Sequence, residues 1–369
     1  MSSFYLNIFT LRMLGFWFPD ETSATWRTNL YRIYNAFAVT AMCGFVLSQF
    51  FAALSCLHDT KELTNASFLL VTIIAVAGKM FNLTIYQYKI RRMVGLFDLQ
   101  PFKSLDDNEV LIKSKFHRSV KRFIFVYATM SIVTCTLITI FSLIRDMPRR
   151  QLLFKARYPF DDSTAIGYWI SYMHQHYSHY LGAIFNTFFD TFIGALMLDT
   201  SAQLEILKYR LIMMPSAMEN ERSQSGCKGS PEEVQKIESK HLENHTNHHL
   251  AILEILKNDQ RNIHCLNFSP ILREYSSSLH QCLHHDEPEA FQQRVQLSAD
   301  SENMSEGIYR MDWTCLSIAS QKSLVLIMAR TLKPIRYTSG HVVNLSLVSF
   351  GSLLKLSYSV YNILSQSSE

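Results

Sequence analysis

The sequence is poor in residues that break helices, with only 12 glycines and 9 prolines among 369 residues. This scarcity favours long helices over turn-rich sheet folds. The 7 cysteines are odd in number, are scattered through apolar stretches and show no metal-ligand spacing, which argues against a disulfide framework. The net charge of +4 is too small to indicate nucleic acid, so no such partner is expected.

The chain also lacks the motifs of secretory signals and of common enzymes. Its N-terminal segment, Met1–Asp20, is apolar but has neither a basic start nor a small-residue cleavage site, so no cleavable signal peptide is expected. It has no phosphate-binding loop, Ser/His/Asp arrangement or HExxH zinc motif, and no inverted repeat of broken helices typical of transporters. Neither a membrane enzyme nor a transporter is therefore favoured, and no cofactor is expected.

Five apolar runs with at most one charged residue are present instead. Each has close to the roughly 20 residues that a helix needs to cross a hydrocarbon core of about 30 Å. The runs are residues 35–57, 68–86, 123–144, 180–198 and 342–364. This repetition predicts an all-α, polytopic membrane bundle that forms a single domain over residues 1–369. Buried helices of a soluble protein are the disfavoured alternative.

Basic residues are distributed unevenly between these runs. The loop after the first run contains only Lys61, whereas nine lysines and arginines follow the second run and eight follow the fourth between residues 199 and 267. Five follow the third run, which reduces the contrast. Because cytoplasmic loops are enriched in basic residues, the second and fourth loops are predicted to be cytoplasmic. The N-terminus is then cytoplasmic and the C-terminus outside, the reverse of a rhodopsin-like receptor.

Residues 222–311 are predicted to be cytoplasmic or irregular because they are polar. A helix start is expected within them at Ser230–Glu233. Four histidines follow at spacings that would suit a metal on one helix face. They are His241, His245, His248 and His249. No acidic residue or cysteine lies at a matching distance, so a solvated loop helix is the preferred interpretation and no metal site is expected.

Several motifs, in order along the chain, resemble the insect odorant receptor family. They are Leu11–Trp17 with Pro19–Asp20, Phe154–Asp161, Ala202–Leu207, Ser305–Tyr309 with Asp312–Trp313, Met328–Thr331 with Lys333–Pro334, Leu345–Ser346, Phe350, and Leu354–Ser359. Arg157 stands where the family commonly has tryptophan. A gustatory-type chemoreceptor of the same superfamily is the alternative, although its Thr-Tyr…Gln-Phe ending is absent here.

The resemblance implies an odorant receptor subunit of seven helices with a cytoplasmic N-terminus. Such subunits bind small volatile ligands and join a shared co-receptor in a hetero-tetrameric, ligand-gated, non-selective cation channel. They are multi-pass proteins of the plasma membrane in the dendrites of olfactory sensory neurons. Their C-terminal helix is split into a cytoplasmic anchor half and a membrane half that lines the pore.

Candidate site residues follow from this resemblance and from the predicted orientation. Apolar walls with a few hydroxyls suit small volatile molecules, and the outer halves of three spans supply them. The candidate ligand-binding residues are Thr72, Ile73, Val76, Thr136, Thr139, Ile140, Phe185, Phe188 and Phe189. The candidate pore residues are Ser357, Tyr361 and Leu364, and the candidate subunit-anchor residues are Trp313, Leu324, Ile327 and Met328. Ordinary helix packing is the alternative interpretation for each of them.

Three ionisable side chains fall within the apolar runs. Asp190 and Lys355 are interpreted as functional or structural groups of the bundle, because charges inside a membrane are costly. Lys79 is predicted near a cytoplasmic helix end and is interpreted as a side chain that snorkels to the membrane surface.

The chain departs from the family after Phe268. Arg273 and Glu274 interrupt the expected fifth helix, and His284–Glu289 is too charged for lipid, because each charge at mid-membrane costs roughly 2.5–3.5 kcal/mol. Much of the fifth helix and all of the sixth are therefore predicted to be missing. A splice form, a gene-model error and a decaying receptor remain open, so a non-functional truncated isoform is a second alternative.

Overall fold

The computed structural model describes residues 4–18, 25–57, 60–224, 231–266, 304–331, 338–339 and 343–344. These residues are nearly all helical, as predicted. The helices are α1 (Tyr5–Met13), α2 (Thr25–Ser55), α3 (Thr60–Leu96), α4 (Asp107–Phe141), α5 (Ala165–Gln224), α6 (Pro231–Leu266), α7 (Met304–Arg310) and α8 (Ile318–Thr331). Within the described ranges the β-structure is limited to one antiparallel pair, β1 (Thr338–Ser339) with β2 (Val343–Asn344).

Helices α2, α3, α4 and α5 contain the first four predicted runs, except for the last two residues of the first run and the last three of the third, and each is long and apolar enough to cross a membrane. The α5 helix has 60 residues, so it is about 90 Å long at 1.5 Å per residue. The apolar run 180–198 is therefore only the middle of a much longer helix. Its remaining length stays ordered because α6 and other elements pack against it.

The α5 helix is the central element of the bundle. Thr139 of α4 bonds to Tyr180 of α5, and Ser131 bonds to Thr187, so these two helices run antiparallel. Most of the apolar stretch of α5 is buried, whereas most of that of α4 is exposed and is free to face lipid. The loop end of the bundle, as we call it, holds residues 142–164 between α4 and α5. The hub end holds residues 97–106 between α3 and α4.

The α6 helix occupies part of the segment 222–311, which was predicted to be cytoplasmic or irregular. The helix does begin at Pro231 as expected, but it packs against α5 instead of standing in solvent. Its apolar side chains recur at helical spacing among many polar ones and join the core; they include Leu242, Ile252, Ile255 and Leu256. The polar average composition of this segment did not reveal its amphipathic pattern. Residues 267–303 lie outside the described part of the chain.

Two residues near the start of the predicted helix 342–364 form a β-strand instead. Val343 and Asn344 pair with Ser339 and Thr338, respectively, in the β1–β2 ladder. Two β-branched residues, Thr338 and Val343, favour this extended backbone. The remainder of the run lies outside the described residues, as do Lys355 and the candidate pore residues Ser357, Tyr361 and Leu364.

Candidate functional site

The motif Phe154–Asp161 forms a loop that is pinned across the loop end of the bundle. The Gln175 side chain of α5 accepts a hydrogen bond from the Phe154 nitrogen at 3.0 Å and donates one to the Phe154 oxygen at 3.0 Å. The Arg157 backbone nitrogen donates to the Ser48 carbonyl on α2 at 3.1 Å. Lys155 forms an ion pair with Glu62 of α3. We call this segment the docked loop, since it is bound to three helices.

Tyr158 and His174 connect the docked loop to α2. The His174 Nε2 atom donates to the Ala41 carbonyl at 3.0 Å, so its Nδ1 atom is the acceptor for the Tyr158 hydroxyl at 2.9 Å. Burial raises the pKa of Tyr158, which keeps its hydroxyl protonated and able to donate. The loop is thus held by side chains that the family-like motif itself supplies.

Asp161 and Thr164 shape the transition from the docked loop into α5. The Asp161 carboxylate accepts from the Ser163 nitrogen at 2.9 Å, and Thr164 Oγ1 caps the helix by accepting from the Gly167 nitrogen at 3.1 Å. Hydrogen bonds from Ser163 lower the pKa of Asp161. Gly167 is required here because a Cβ atom would lie 2.2 Å from the Asp161 carbonyl oxygen.

We expect the substitution Gly167→Ala to displace the docked loop. A backbone oxygen cannot yield as a flexible side chain can, so the loss of stability should be about 1–3 kcal/mol. The thermal midpoint of the detergent-solubilised protein would measure it. Gly95→Ala is the matched control, since nothing lies within 4 Å of its added Cβ. Equal midpoints for the two variants would contradict the close contact.

Beneath the docked loop, α5 presents a series of polar aromatic side chains. The His179 ring lies 5.6 Å from the Phe154 ring, and the His176 ring lies 4.4 Å from the Tyr172 ring. The Tyr172 hydroxyl reaches Ser142 at the end of α4 at 3.2 Å. Reasoning from sequence missed this group. The available signal was the recurrence of tyrosine and histidine at helical spacing between Tyr168 and Tyr180.

The structure brings together only some of the candidate ligand-binding residues. Ile73, Val76, Phe185, Phe188 and Phe189 are buried in one core cluster. Thr72 and Thr139 are half-buried nearby, and Thr139 donates to the Tyr180 hydroxyl at 3.1 Å. Thr136 and Ile140 are exposed on α4, and the Thr136 hydroxyl donates to the Ile132 carbonyl of its own helix.

Phe185 and Phe188 contact the N-terminal segment. The Phe185 ring lies 4.7 Å from the Phe16 ring, and the Phe188 carbonyl accepts from the Asn7 side chain at 2.9 Å. Phe185 is also about 30 Å along α5 from the start of that helix. The structure therefore places Phe185 well below the loop end.

Lys79 does not snorkel, contrary to the prediction. Its Nζ atom lies 2.8 and 2.9 Å from the two carboxylate oxygens of Asp190 and 2.7 Å from the Asn186 Oδ1 atom. The ammonium also lies 6.0 Å from the centre of the Phe189 ring. Both charged side chains are about three quarters buried, with exposures of 22% and 27%. An ion pair inside the bundle thus joins α3 to α5.

A second ion pair organises the hub end. The Arg210 guanidinium binds both carboxylate oxygens of Glu109 at 2.7 Å each. It also donates to the carbonyls of Pro101 and Lys103, at 3.0 and 2.8 Å, and contacts His248 Nδ1 at 3.2 Å. The α4, α5 and α6 helices and the segment between α3 and α4 therefore meet at one buried cation. We call the cluster of Arg210, Glu109, His248 and Gln203 the hub.

His248 belongs to this hub and not to a metal site. Its Nε2 atom lies 3.2 Å from the Gln203 Oε1 atom, and its ring contacts that of Phe102 at 5.4 Å. Among the residues that the structure describes, no group of three histidine, cysteine or acidic side chains is arranged to hold a metal. His241 instead pairs with Glu221 of α5 at 2.7 Å. His241 and His248 thus join α6 to α5.

We expect the hub to be sensitive to acid. Burial, with a contribution from Arg210, lowers the pKa of His248 to about 3, and burial lowers that of His245 to about 4. Above the unfolded value near 6.5, neither group takes up a proton in either state. As pH falls below about 6.5, these two histidines bind protons in the unfolded chain but not in the folded chain. The free energy of unfolding therefore declines towards pH 3–4. The thermal midpoint should fall between about pH 7.5 and about pH 5, and less steeply for His248→Gln. A midpoint that is constant over this range would contradict the prediction.

The candidate anchor helix α8 is held to α6 by its N-terminus. The buried Glu238 carboxylate accepts hydrogen bonds from the Ser317 nitrogen at 3.2 Å, the Ser317 hydroxyl and the Ser320 hydroxyl at 2.8 Å. An acidic group at this position also stabilises the positive end of the helix dipole. The direction of α8 is therefore fixed by three hydrogen-bond donors.

The candidate anchor residues on and before α8 do not share one surface. Leu324 is buried in the core of its own subunit, and Ile327 and Met328 pack partly against that core. Trp313, in a short 3-10 turn before α8, is 38% exposed. Three other apolar side chains point outward, with exposures of 56–72%; they are Ile318, Val325 and Leu326.

The comparisons with known proteins agree with this architecture. A family model described as 7tm Odorant receptor matches residues 59–268 and 295–358, well over half of the chain. The chain belongs to the 7tm odorant receptor family. The resemblance found in the motifs is thereby confirmed, and this is a family of receptors, not of enzymes. The two matched stretches leave out residues 269–294, which include the charged segment His284–Glu289.

Two solved structures share the fold of this odorant receptor. Both are of the insect olfactory receptor OR5 from Machilis hrabei, and one is a complex with eugenol. They are 13% and 12% identical to this chain, with TM-scores of 0.75 and 0.79. The alignments cover 99% and 98% of this chain and 97% of each OR5 chain. None of the curated proteins matches the chain. The predicted helical membrane bundle is thus confirmed.

Proposed function

We propose that this odorant receptor binds small volatile molecules at the loop end and, with a shared co-receptor, forms a ligand-gated cation channel. The observation that carries the proposal is the docked loop, which closes the bundle over the polar aromatic side chains of α5. Enclosed sites with apolar walls and a few polar groups are typical of small-molecule binding. The fold shared with OR5, which was solved in complex with eugenol, supports the same function.

Currents evoked by odorants test this proposal directly. Cells that express the receptor together with the co-receptor should give an inward cation current in response to members of a broad panel of volatiles. Cells that express the co-receptor alone are the control. The proposal is wrong if no volatile activates the pair, or if every volatile that activates the pair also activates the co-receptor alone. That result would favour the alternative of a truncated, non-functional isoform. The supporting observation is that residues 269–294 do not match the family model.

The orientation in the plasma membrane of olfactory neuron dendrites is part of the same proposal. The hub end carries the basic residues that follow the second and fourth apolar runs, so it faces the cytoplasm. The docked loop then faces outward, where volatile ligands arrive. An epitope tag inserted beside Asp162, which is exposed directly after the docked loop, should be stained on intact cells, and a tag at Ser2 only after permeabilisation. The reverse staining would overturn the orientation.

The outward face of α8 is proposed as the surface that binds the co-receptor subunit. Ile318, Val325 and Leu326 are exposed apolar residues at the hub end, next to the exposed Trp313. Interface cores are apolar and rich in aromatic residues, which suits this surface. The face replaces the predicted set centred on Leu324, which is buried within its own subunit.

Aspartate at two of these positions should abolish assembly. Val325→Asp with Leu326→Asp should reduce co-purification with the co-receptor by at least about tenfold, because unpaired carboxylates would be buried at the contact. The thermal midpoint of the isolated subunit should change little, since both side chains are exposed. Leu250→Asp, at an exposed leucine of α6, is the control. Undiminished co-purification would refute the proposed surface.

A further inference from the structure

The first half of α4 carries a line of exposed basic side chains. Lys115, Arg118 and Arg122 stand at i, i+3 and i+7, and all three are exposed. At about 3.6 residues per turn they lie within roughly 60° of one another around the helix. The buried residues of α4, which include Val120 and Ile124, lie on the opposite side. We call Lys115, Arg118 and Arg122 the basic stripe.

The basic stripe lies where the apolar layer of the bundle ends. Three hydrogen bonds set the antiparallel register of α4 and α5; they join Thr139 to Tyr180, Ser131 to Thr187 and Asn108 to Tyr209. In this register Val120 is level with Leu198, the last residue of the apolar run on α5. Arg122 therefore lies at the edge of the apolar layer, and Lys115 lies about 10 Å further towards the hub end. A headgroup layer is about 5–7 Å thick, and long basic side chains can reach it from either position.

Towards the loop end, the same face of α4 continues as a surface that is mostly apolar. Phe125, Thr129, Val133 and Ile140 extend the line of the basic stripe at spacings of three, four or seven residues, and all are exposed. The apolar stretch of α4 as a whole is only 11% buried inside the bundle. One face of the helix is therefore suited to lipid tails along the span and to charged headgroups at its edge.

The cations of the basic stripe lack acidic partners within the described part of the chain. None of the three forms an ion pair there. The acidic residues of α4 are confined to its first turn, and Glu109, one of them, is bound by Arg210. By contrast Arg222 and Lys240, also at the hub end, each pair with a glutamate. The basic stripe thus presents positive charge that the described residues do not neutralise.

We infer that the basic stripe binds the anionic headgroups of phospholipids in the leaflet at the hub end. Anionic lipids attract basic segments next to membrane helices, and their phosphate and carboxylate groups suit the donors of arginine and lysine. The excess of basic residues in cytoplasmic loops does not require this arrangement, because cations anywhere near the ends of the spans fulfil that rule. An exposed stripe that continues a lipid-facing surface is an additional property.

The inference rests on one part of the proposed function, the orientation of the receptor. That orientation places the basic stripe in the cytoplasmic leaflet, where anionic lipids are concentrated. Channel activity and the identity of the odorant do not enter the argument.

Native mass spectrometry of the full-length receptor in detergent, titrated with phosphatidylserine or phosphatidylcholine, tests the inference. The wild type should bind phosphatidylserine more tightly than phosphatidylcholine. The triple variant Lys115→Gln, Arg118→Gln and Arg122→Gln should weaken phosphatidylserine binding by at least about tenfold, since each basic residue near an anionic surface contributes about fivefold. Its binding of phosphatidylcholine should not change. Arg118→Lys with Arg122→Lys keeps the charges and should retain most of the preference.

A second triple variant is the matched control, because it removes the same charge far from the membrane. It combines Arg222→Gln, Lys236→Gln and Lys240→Gln. Lys240 pairs with Glu221, which is about 35 Å beyond Leu198 along α5 and so several screening lengths away at physiological salt. This variant should bind phosphatidylserine as the wild type does. The thermal midpoints of both triple variants should stay close to that of the wild type, since none of the substituted side chains is buried.

Two outcomes would overturn the inference. Equal binding of phosphatidylserine by the wild type and the basic-stripe variant would show that these cations serve only orientation or contact an acidic protein segment. A wild type without preference for phosphatidylserine would also exclude the lipid site. The epitope-tag experiment separates this result from the orientation proposal. Selective lipid binding with reversed staining would overturn the orientation alone, and the expected staining without selective binding would overturn the lipid site alone.

Discussion

Arg210→Met is expected to be among the most destabilising single substitutions in the chain, by about 3–5 kcal/mol. The Arg210 and Glu109 side chains are only 9% and 2% exposed, so removing the guanidinium leaves a buried carboxylate without its partner. The carbonyls of Pro101 and Lys103 lose their donors in the same step. Since native proteins are marginally stable, a loss of this size should prevent surface expression.

The design of this test depends on comparing three variants. Thermal midpoints of the solubilised protein should fall strongly for Arg210→Met. The double variant Arg210→Met with Glu109→Leu should be less unstable than the sum of its single variants, because no unpaired charge remains. Arg222→Met, at the exposed end of α5, is the matched control and should cost less than about 1 kcal/mol. Similar midpoints for Arg210→Met and Arg222→Met would contradict the role of the hub.

Sequence patterns predicted the membrane-spanning helices well and the packing around them poorly. Uninterrupted apolar runs are local features, so α2 to α5 could be recognised without knowledge of their neighbours. The length of α5 could not, because its residues beyond the apolar run are polar and depend on packing against α6 and the docked loop. The same holds for His248, whose role depends on Arg210 and Gln203, 38 and 45 residues away in sequence.

The candidate site was predicted only in part, because it too depends on contacts between segments that are distant in sequence. The motif Phe154–Asp161 was recognised by its resemblance to the family, and the structure explains it as the docked loop. Which face of each helix points inward depends on the rotation of that helix, and no charge pattern fixes this rotation. Thr136 and Ile140 therefore fell on the exposed face of α4, and Phe185 was paired with Phe16 from a distant segment.

Asp190→Leu is the second substitution with a large expected effect, because it breaks the ion pair between Lys79 and Asp190. Asp190→Leu leaves the Lys79 ammonium inside the bundle with only the Asn186 oxygen as a partner. A lone charge at the centre of a membrane helix costs about 2.5–3.5 kcal/mol, so a loss of about 2–3 kcal/mol is expected for this partly exposed pair. Surface expression should fall accordingly.

Removing both charges should restore most of that loss. In the double variant Asp190→Leu with Lys79→Met, no ionised group remains in the apolar layer, and the new side chains can pack where the pair was. The exchange Lys79→Asp with Asp190→Lys should recover part of the stability, because it recreates the ion pair in the opposite direction. Lys89→Met, an exposed lysine on the same helix, is the control and should change surface expression little. Surface labelling and thermal midpoints would be compared across the set. If the two single losses simply add in the double variant, the two charges act independently, and the ion pair does not connect α3 to α5 in the membrane.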